Sequence, residues 1–268
     1  SLLEAKARGA DVRILYSPLE AVNLARQHPE KEVVFFSVGF ETTAPANALS
    51  VLHAHREGLP NYSILTSHVL VPPAMEAVIN DPECEIDAFL AAGHVCAIMG
   101  MKEYYPVAEK YKIPVVITGF EPVDLLQGIL HAVKQLENRQ YFLENRYARV
   151  VTEEGNQIAQ QTISQVFEVA DREWRGIGNI PGSGLELRPE FRQYDARNKF
   201  PSEKPMACED TTCRSGDVMK GKIKPNQCPH FGKTCTPSKP LGAPMVSSEG
   251  ACAAYYHFKG EMQEEPAT

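Results

Sequence analysis

Short apolar runs alternate with amphipathic segments over the first 150 or so residues, as expected for strands joined by helices. Residues 12–16 read as a first strand. Ser17 is a good N-cap for a helix over 18–28, with Glu20 completing a capping box. Residues 33–38, Val-Val-Phe-Phe-Ser-Val, are almost continuously apolar, the mark of a strand buried on both faces of a parallel sheet. A helix follows from about residue 45, then a strand at 62–66, a helix at 72–80, a strand at 86–91, a helix at 102–111 and a strand at 114–118. A long helix over 123–138 carries Leu125, Leu126, Ile129, Leu130, Val133 and Leu136 on what reads as its core face. Single-helix crossovers between parallel strands are right-handed, so the predicted fold class is α/β, a Rossmann-like parallel sheet sandwich. Beyond Tyr147 the pattern gives a strand at 149–152, a helix at 153–167 and a turn-rich stretch around Trp174, Gly176, Gly178, Pro181, Gly182 and Gly184.

Composition adds a boundary. Residues 201–268 are rich in polar residues, Gly and Pro and hold five of the chain's seven cysteines. The predicted division is an α/β part over 1–195 and a loop-rich cysteine module over 196–268. The whole chain, 43% hydrophobic and 23% charged over 268 residues, is ordinary globular material. Its net charge of −7 argues against a nucleic-acid partner. No run approaches the ~20 apolar residues that cross a bilayer, and no export signal opens the chain, so the expected setting is cytoplasmic with no membrane association. Residues 2–8 run into a helical pattern with no leader or cap, and position 1 is Ser. That reads as a chain missing its beginning.

Cysteine spacing brings in the chemistry. Cys213, Cys228, Cys235 and Cys252 are separated by 14, 6 and 16 residues, and no close Cys-x(2–4)-Cys knuckle of the kind zinc modules use is present. A segment so poor in apolar residues needs another source of folding energy, and thiolate ligation supplies it. Four separated cysteines in loops suit a cubane [4Fe-4S] cluster, whose irons each take one thiolate from a different direction. Cys208 is a spare thiol near this set. Cys84 lies in an acidic turn, and Cys96 reads as a small core hydrophobe.

Two further features lie in the α/β part. Gly39-Phe40-Glu41 and Gly119-Phe120-Glu121 each follow an apolar strand and precede a proline-initiated helix, and His68 and Gly93-His94 fall at corresponding strand ends. Open α/β sheets bind ligands at that edge, so Glu41, His68, His94 and Glu121 are candidates to converge there. Taken singly, each is as well explained by helix capping or a structural hydrogen bond. Neither phosphate-loop signature occurs, so no nucleotide site is predicted.

Phe35-Phe36-Ser37-Val38-Gly39-Phe40-Glu41-Thr42-Thr43-Ala44-Pro45, Gly93-His94-Val95, Gly119-Phe120-Glu121-Pro122, Glu173-Trp174-Arg175-Gly176 and Met245-Val246-Ser247-Ser248-Glu249-Gly250-Ala251-Cys252-Ala253-Ala254-Tyr255-Tyr256 together resemble the HypD family of hydrogenase maturation factors. The Cys-x14-Cys-x6-Cys-x16-Cys arrangement is similar to that family's [4Fe-4S] pattern. The resemblance implies a scaffold, rather than a turnover enzyme, for assembling the Fe(CN)2CO unit of [NiFe] hydrogenases. It implies a HypC-type chaperone and a HypE-type cyanide donor as partners, and a cluster that relays electrons to a thiol pair. It places the Gly39–Thr43 turn, with Glu41, Thr42, His94 and Glu121, on a cleft between two α/β domains. The family's thiol motif and iron-binding cysteine have no counterpart here, so the resemblance also implies a chain lacking its N-terminal third. Two other readings stand beside it: an iron-sulfur thiol/disulfide oxidoreductase using Cys96 or Cys208, and a zinc-stapled structural binding protein.

Overall fold

The computed structural model describes residues 2–201 and 212–258; Cys208 lies outside them. The elements run α1 (Leu2–Ala7), α2 (Pro18–Gln27), β1 (Val33–Gly39), α3 (Ala44–Glu57), β2 (Tyr62–Val69), α4 (Val71–Ile79), β3 (Phe89–Ala92), α5 (Gly93–Met99), a 3-10 turn into α6 (Tyr105–Tyr111), β4 (Val115–Thr118), α7 (Pro122–Glu137) and β5 (Leu143–Asn145). They continue with α8 (Gln157–Val166), β6 (Phe167–Trp174), β7 (Gly178–Leu187), α9 (Ala196–Lys199), α10 (Ser215–Met219) and α11 (Ala251–Phe258). The chain is α/β, as the alternation predicts. It divides into two compact units, one of residues 1–69, 157–168 and 185–203, the other of 70–156, 169–184 and 204–268.

The expected single parallel sheet is not what forms. One sheet has the order β1-β2-β7-β6 and is mixed, and the other, β3-β4-β5, is parallel throughout. The stretch read as turn-rich supplies β6 and β7. Its glycines sit at the connecting turn (Gly176, φ 89°) and at bends in β7 (Gly182, φ 62°), where a left-handed backbone is needed, so the same residues that read as loop punctuate a hairpin.

In the first unit, α2 begins where capping chemistry places it: Ser17 Oγ accepts from the Leu19 amide at 3.3 Å, while Glu20 reaches back to the Tyr16 amide rather than to that of Ser17. α2 buries Ala21, Val22 and Ala25 and packs on α3 and β1. β1 runs parallel to β2, in register from Val33 opposite Tyr62 to Gly39 opposite His68. Two expectations fail here. Residues 12–16 form no strand; Tyr16 is 97% exposed, and Asp11, Val12, Arg13 and Leu15 instead line a groove of about 1020 Å3 beside α2 and β1. β1 is also not buried on both faces. It ends its sheet, and Val34, Phe36 and Val38 on alternate positions are about half exposed.

The second unit builds its core from Met75, Ala91, Cys96, Met101, Tyr104, Val107, Ile113, Val115 and Ile117. Here α7 reverses the reading of its faces. Asp124, Gly128, Ala132 and Gln135 are buried, while Leu126 and Leu130 are 67% and 50% exposed. Small residues let the helix come close to the sheet: a Cβ on Gly128 would stand 3.2 Å from Thr118 Cβ and 3.3 Å from Leu90 Cδ2. Its inward polar groups are paired, Thr118 Oγ1 donating to the Asp124 carbonyl at 2.7 Å and Gln135 Oε1 accepting from the Phe142 amide at 3.1 Å. Residues 149–152 form no strand; a short strand at Leu143–Asn145 pairs with β4 in their place.

Candidate functional site

The four spaced cysteines meet. Cys213, Cys228, Cys235 and Cys252 line one small cavity of about 20 Å3 with Arg214, Ser215, Phe231, Gly242 and Met245. Each comes from a different local support. Cys213 leads into α10. Cys228 ends the 3-10 turn Pro225–Gln227, its amide donating to the Pro225 carbonyl at 3.1 Å. Cys235 sits in a tight loop, donating to the His230 carbonyl and accepting from the Gly232 amide, both at 3.0 Å. Cys252 lies in the first turn of α11. The apolar content holding this loop cluster is small: Cys235, Met245 and Ala253, with Phe231, Leu241 and Cys252 against them.

The surroundings of the sulfurs are built closely. A Cβ on Gly242 would meet Cys213 Sγ at 2.3 Å, so that position has to be glycine if the chain is to pass the thiol. The Leu241 amide donates to Cys235 Sγ at 3.4 Å. Burial pushes the Cys252 thiol up to about 11, and the other three cysteines add to the rise. Among the described residues no three His, Cys, Asp or Glu groups gather as tightly as one metal ion requires. A single zinc holds its sulfurs about 2.3 Å from one centre, whereas a cubane takes them at four separate corners. Four thiols carried by four separate local supports are the donor set that such a cluster takes.

This segment is anchored to the rest of its unit. Lys220 pairs with Asp81 at 2.5 Å, Lys222 with Glu83 at 2.8 Å, and the Glu85 amide donates to the Lys220 carbonyl at 2.8 Å, so the turn carrying Cys84 is a docking point. Cys96 is fully buried in the core, where its packing places it as a small hydrophobe.

The strand-end candidates fall in both units, Glu41, Thr42 and His68 in one and His94 and Glu121 in the other, in contrasting settings. Glu41 is 2% exposed in the turn between β1 and α3, with Thr42 half-buried beside it. That turn is organised by His68, which is fully buried. Its Nε2 lies 2.9 Å from Asn47 Nδ2 and 3.0 Å from Thr43 Oγ1, and its Nδ1 3.3 Å from Ser37 Oγ. An amide nitrogen donates, so Nε2 accepts and Nδ1 carries the proton. Ser50 extends the network to Tyr62 at 2.7 Å, whose hydroxyl burial holds above the ordinary phenol range. Gly39, at φ 153°, is required because a Cβ there would strike Thr43 Oγ1 at 2.2 Å.

In the second unit His94 stacks obliquely on Phe120, ring centroids 4.6 Å apart, both exposed. Glu121 is exposed too and accepts from Arg149 at 2.7 Å. Arg149 also bridges both oxygens of Asp124, at 2.8 and 2.5 Å, and lies 4.5 Å over the Tyr147 ring. These hydrogen bonds hold the Asp124 carboxyl below its usual range and raise the guanidinium. Arg149 had no place among the sequence candidates. Its signal was only a basic residue in a segment misread as a strand.

Fold and site define the class: an α/β protein in which four spaced cysteines line one cavity. Residues 1–259 match the hydrogenase formation hypA family, HypD, and the chain belongs to it. It is 47% identical to the hydrogenase maturation factor HypD of Rhodobacter capsulatus over 99% of this chain and 72% of that protein. It is 46% identical to the factor of the same name from Escherichia coli K12, over 98% and 71%, and 45% to the hydrogenase expression/formation protein HupD of Azotobacter chroococcum, over 98% and 71%. These matches run nearly the whole length of this chain and cover 71–72% of the relatives. Among the described residues no helix is long and apolar enough to cross a membrane.

Proposed function

We propose that this chain is a hydrogenase maturation scaffold of the HypD type, carrying a [4Fe-4S] cluster on Cys213, Cys228, Cys235 and Cys252 and serving assembly of the Fe(CN)2CO unit. The observation that carries the reading is the meeting of these four thiols, spread over 40 residues of sequence, around one cavity. When bound, the cluster supplies one-electron chemistry. The chain's own residues do the rest. Four deprotonated thiols ligate, the Leu241 amide supports one of them, and Met245 and Phe231 exclude water from the cavity.

The iron being assembled is cargo rather than a resident group. Glu41 and Thr42 in one unit and His94 and Glu121 in the other are the residues proposed to orient its ligands. The roles are unequal: His94 and Glu121 are exposed to an incoming ligand, whereas Glu41 acts from a buried turn fixed by His68. A HypC-type chaperone and a HypE-type cyanide donor are the proposed partners, in the cytoplasm, where thiols stay reduced. No specific observation favours either alternative: Cys96 is buried in the core, and Cys208 lies outside the described residues.

Single Cys→Ser changes test the assignment. Each of Cys213, Cys228, Cys235 and Cys252 changed to Ser should prevent a full complement of iron and sulfide after anaerobic reconstitution, while Cys84→Ser retains it. Full loading in two or more of the four variants would remove the ligand assignment. For the orienting residues, Glu41→Ala in a HypD-type factor active in hydrogenase maturation should lower hydrogenase activity; unchanged activity would return Glu41 to a capping role.

A further inference from the structure

The Glu173-Trp174-Arg175-Gly176 motif ends β6 and turns toward the cysteine module. Arg175 Nη2 donates to the Leu241 carbonyl at 2.7 Å. The amide of that same Leu241 donates to Cys235 Sγ, and the next residue, Gly242, passes so close to Cys213 Sγ that no side chain fits. The other side of the turn is as tight. A Cβ on Gly176 would meet Ser215 Oγ at 2.6 Å, and one on Gly216 would meet the Gly176 carbonyl at 2.6 Å. The turn therefore touches both the loop that follows Cys213 and the loop that supports Cys235. It is itself held: the Ile177 amide donates to the Trp174 carbonyl at 3.1 Å, and Trp174 Nε1 donates to Ser183 Oγ at 2.8 Å.

We propose that Arg175 is a positioning residue of the cysteine module, fixing Leu241 so that its amide stays aimed at Cys235 Sγ and thereby raising the reduction potential of the bound cluster. The inference rests on the cluster reading above. A reduced cluster carries one more negative charge, and an amide donating to a ligand sulfur offsets that charge, so the reduced form gains more from the bond than the oxidised form. Loss of the Arg175 anchor lets Leu241 swing.

The test uses the whole chain, reconstituted anaerobically with iron and sulfide, and follows the visible band through a redox titration. Arg175→Ala should load as much iron and sulfide as the unaltered chain and show a more negative midpoint, with Arg175→Lys in between because an ammonium still reaches a carbonyl. Lys102→Ala, which removes a charge paired with Glu154 at 2.6 Å, should leave the midpoint where it was. The second readout needs no cluster. In the metal-free chain, the rate at which iodoacetamide modifies Cys235 should change several-fold in Arg175→Ala, because Leu241 packs against that thiol, with Cys84 unchanged. A fully loaded Arg175→Ala with an unaltered midpoint overturns the proposal. If that variant does not load, an unchanged Cys235 rate overturns it. Failure of the unaltered chain to take up a cluster would strike the proposed function instead, and the Cys235 rate would still decide whether Arg175 holds Leu241.

Discussion

Single side chains carry two of the sharper consequences. Cys252 sits in a cavity that pushes its thiol up to about 11, so ligation must remove a proton that ordinary solution conditions leave in place. Uptake of iron and sulfide should therefore strengthen as pH rises toward that value and weaken as it falls, with protons released on loading; reconstitution yield against pH measures it. His68 makes a different prediction. With three polar neighbours and no exposure, His68→Ala should cost about 2–4 kcal/mol in urea unfolding, from lost hydrogen bonds plus a cavity. His68→Gln should recover part, since an amide can reach the Asn47 and Thr43 side. Equal stability of His68→Ala would mean the turn holding Glu41 is organised by something else. The sequence marked His68 only as a residue at a strand end; its partners Ser37 and Asn47 come from a strand and a helix whose facing only the packing sets.

Elements were legible where local chemistry decides them and misread where tertiary packing does. Ser17 starts α2 and Pro122 starts α7 as capping rules require, and β1, β2 and β4 fall on their apolar runs. Facing was the weak link. In α7 the moment of large apolar residues points outward, because close approach to the sheet selects Gly128 and Ala132 and because Asp124 and Gln135 find partners inside. Leu126→Lys with Leu130→Glu should then change unfolding free energy by no more than about 0.5 kcal/mol each, as surface changes do. Gly128→Val should cost about 1–3 kcal/mol through overpacking. The reverse ranking in urea denaturation would restore the leucine face to the core. The Arg149–Asp124 pair sits at the start of the same helix. Since Asp124 is held below its ordinary range, the pair's stabilisation is present above that range and fades as pH falls through the lowered value. Arg149→Met should lower the melting temperature by a few degrees at pH 7 and by less in acid, as differential scanning would show.

Over the whole molecule, alternation in the sequence was enough for the α/β class, a property of order along the chain, and the four cysteines that spacing singled out line one cavity. The split into two sheets was not legible: it depends on a hairpin, β6 and β7, whose glycines imitate a loop. Membership of the HypD family and the shared cavity of Cys213, Cys228, Cys235 and Cys252 point the same way, toward a cofactor-bearing maturation scaffold. The most direct measurement is iron and acid-labile sulfide per chain after anaerobic purification, with the visible spectrum taken before and after dithionite. The account predicts near four of each per chain, the content of one cubane cluster, and a broad band that bleaches on reduction. One zinc per chain with a flat spectrum would contradict it.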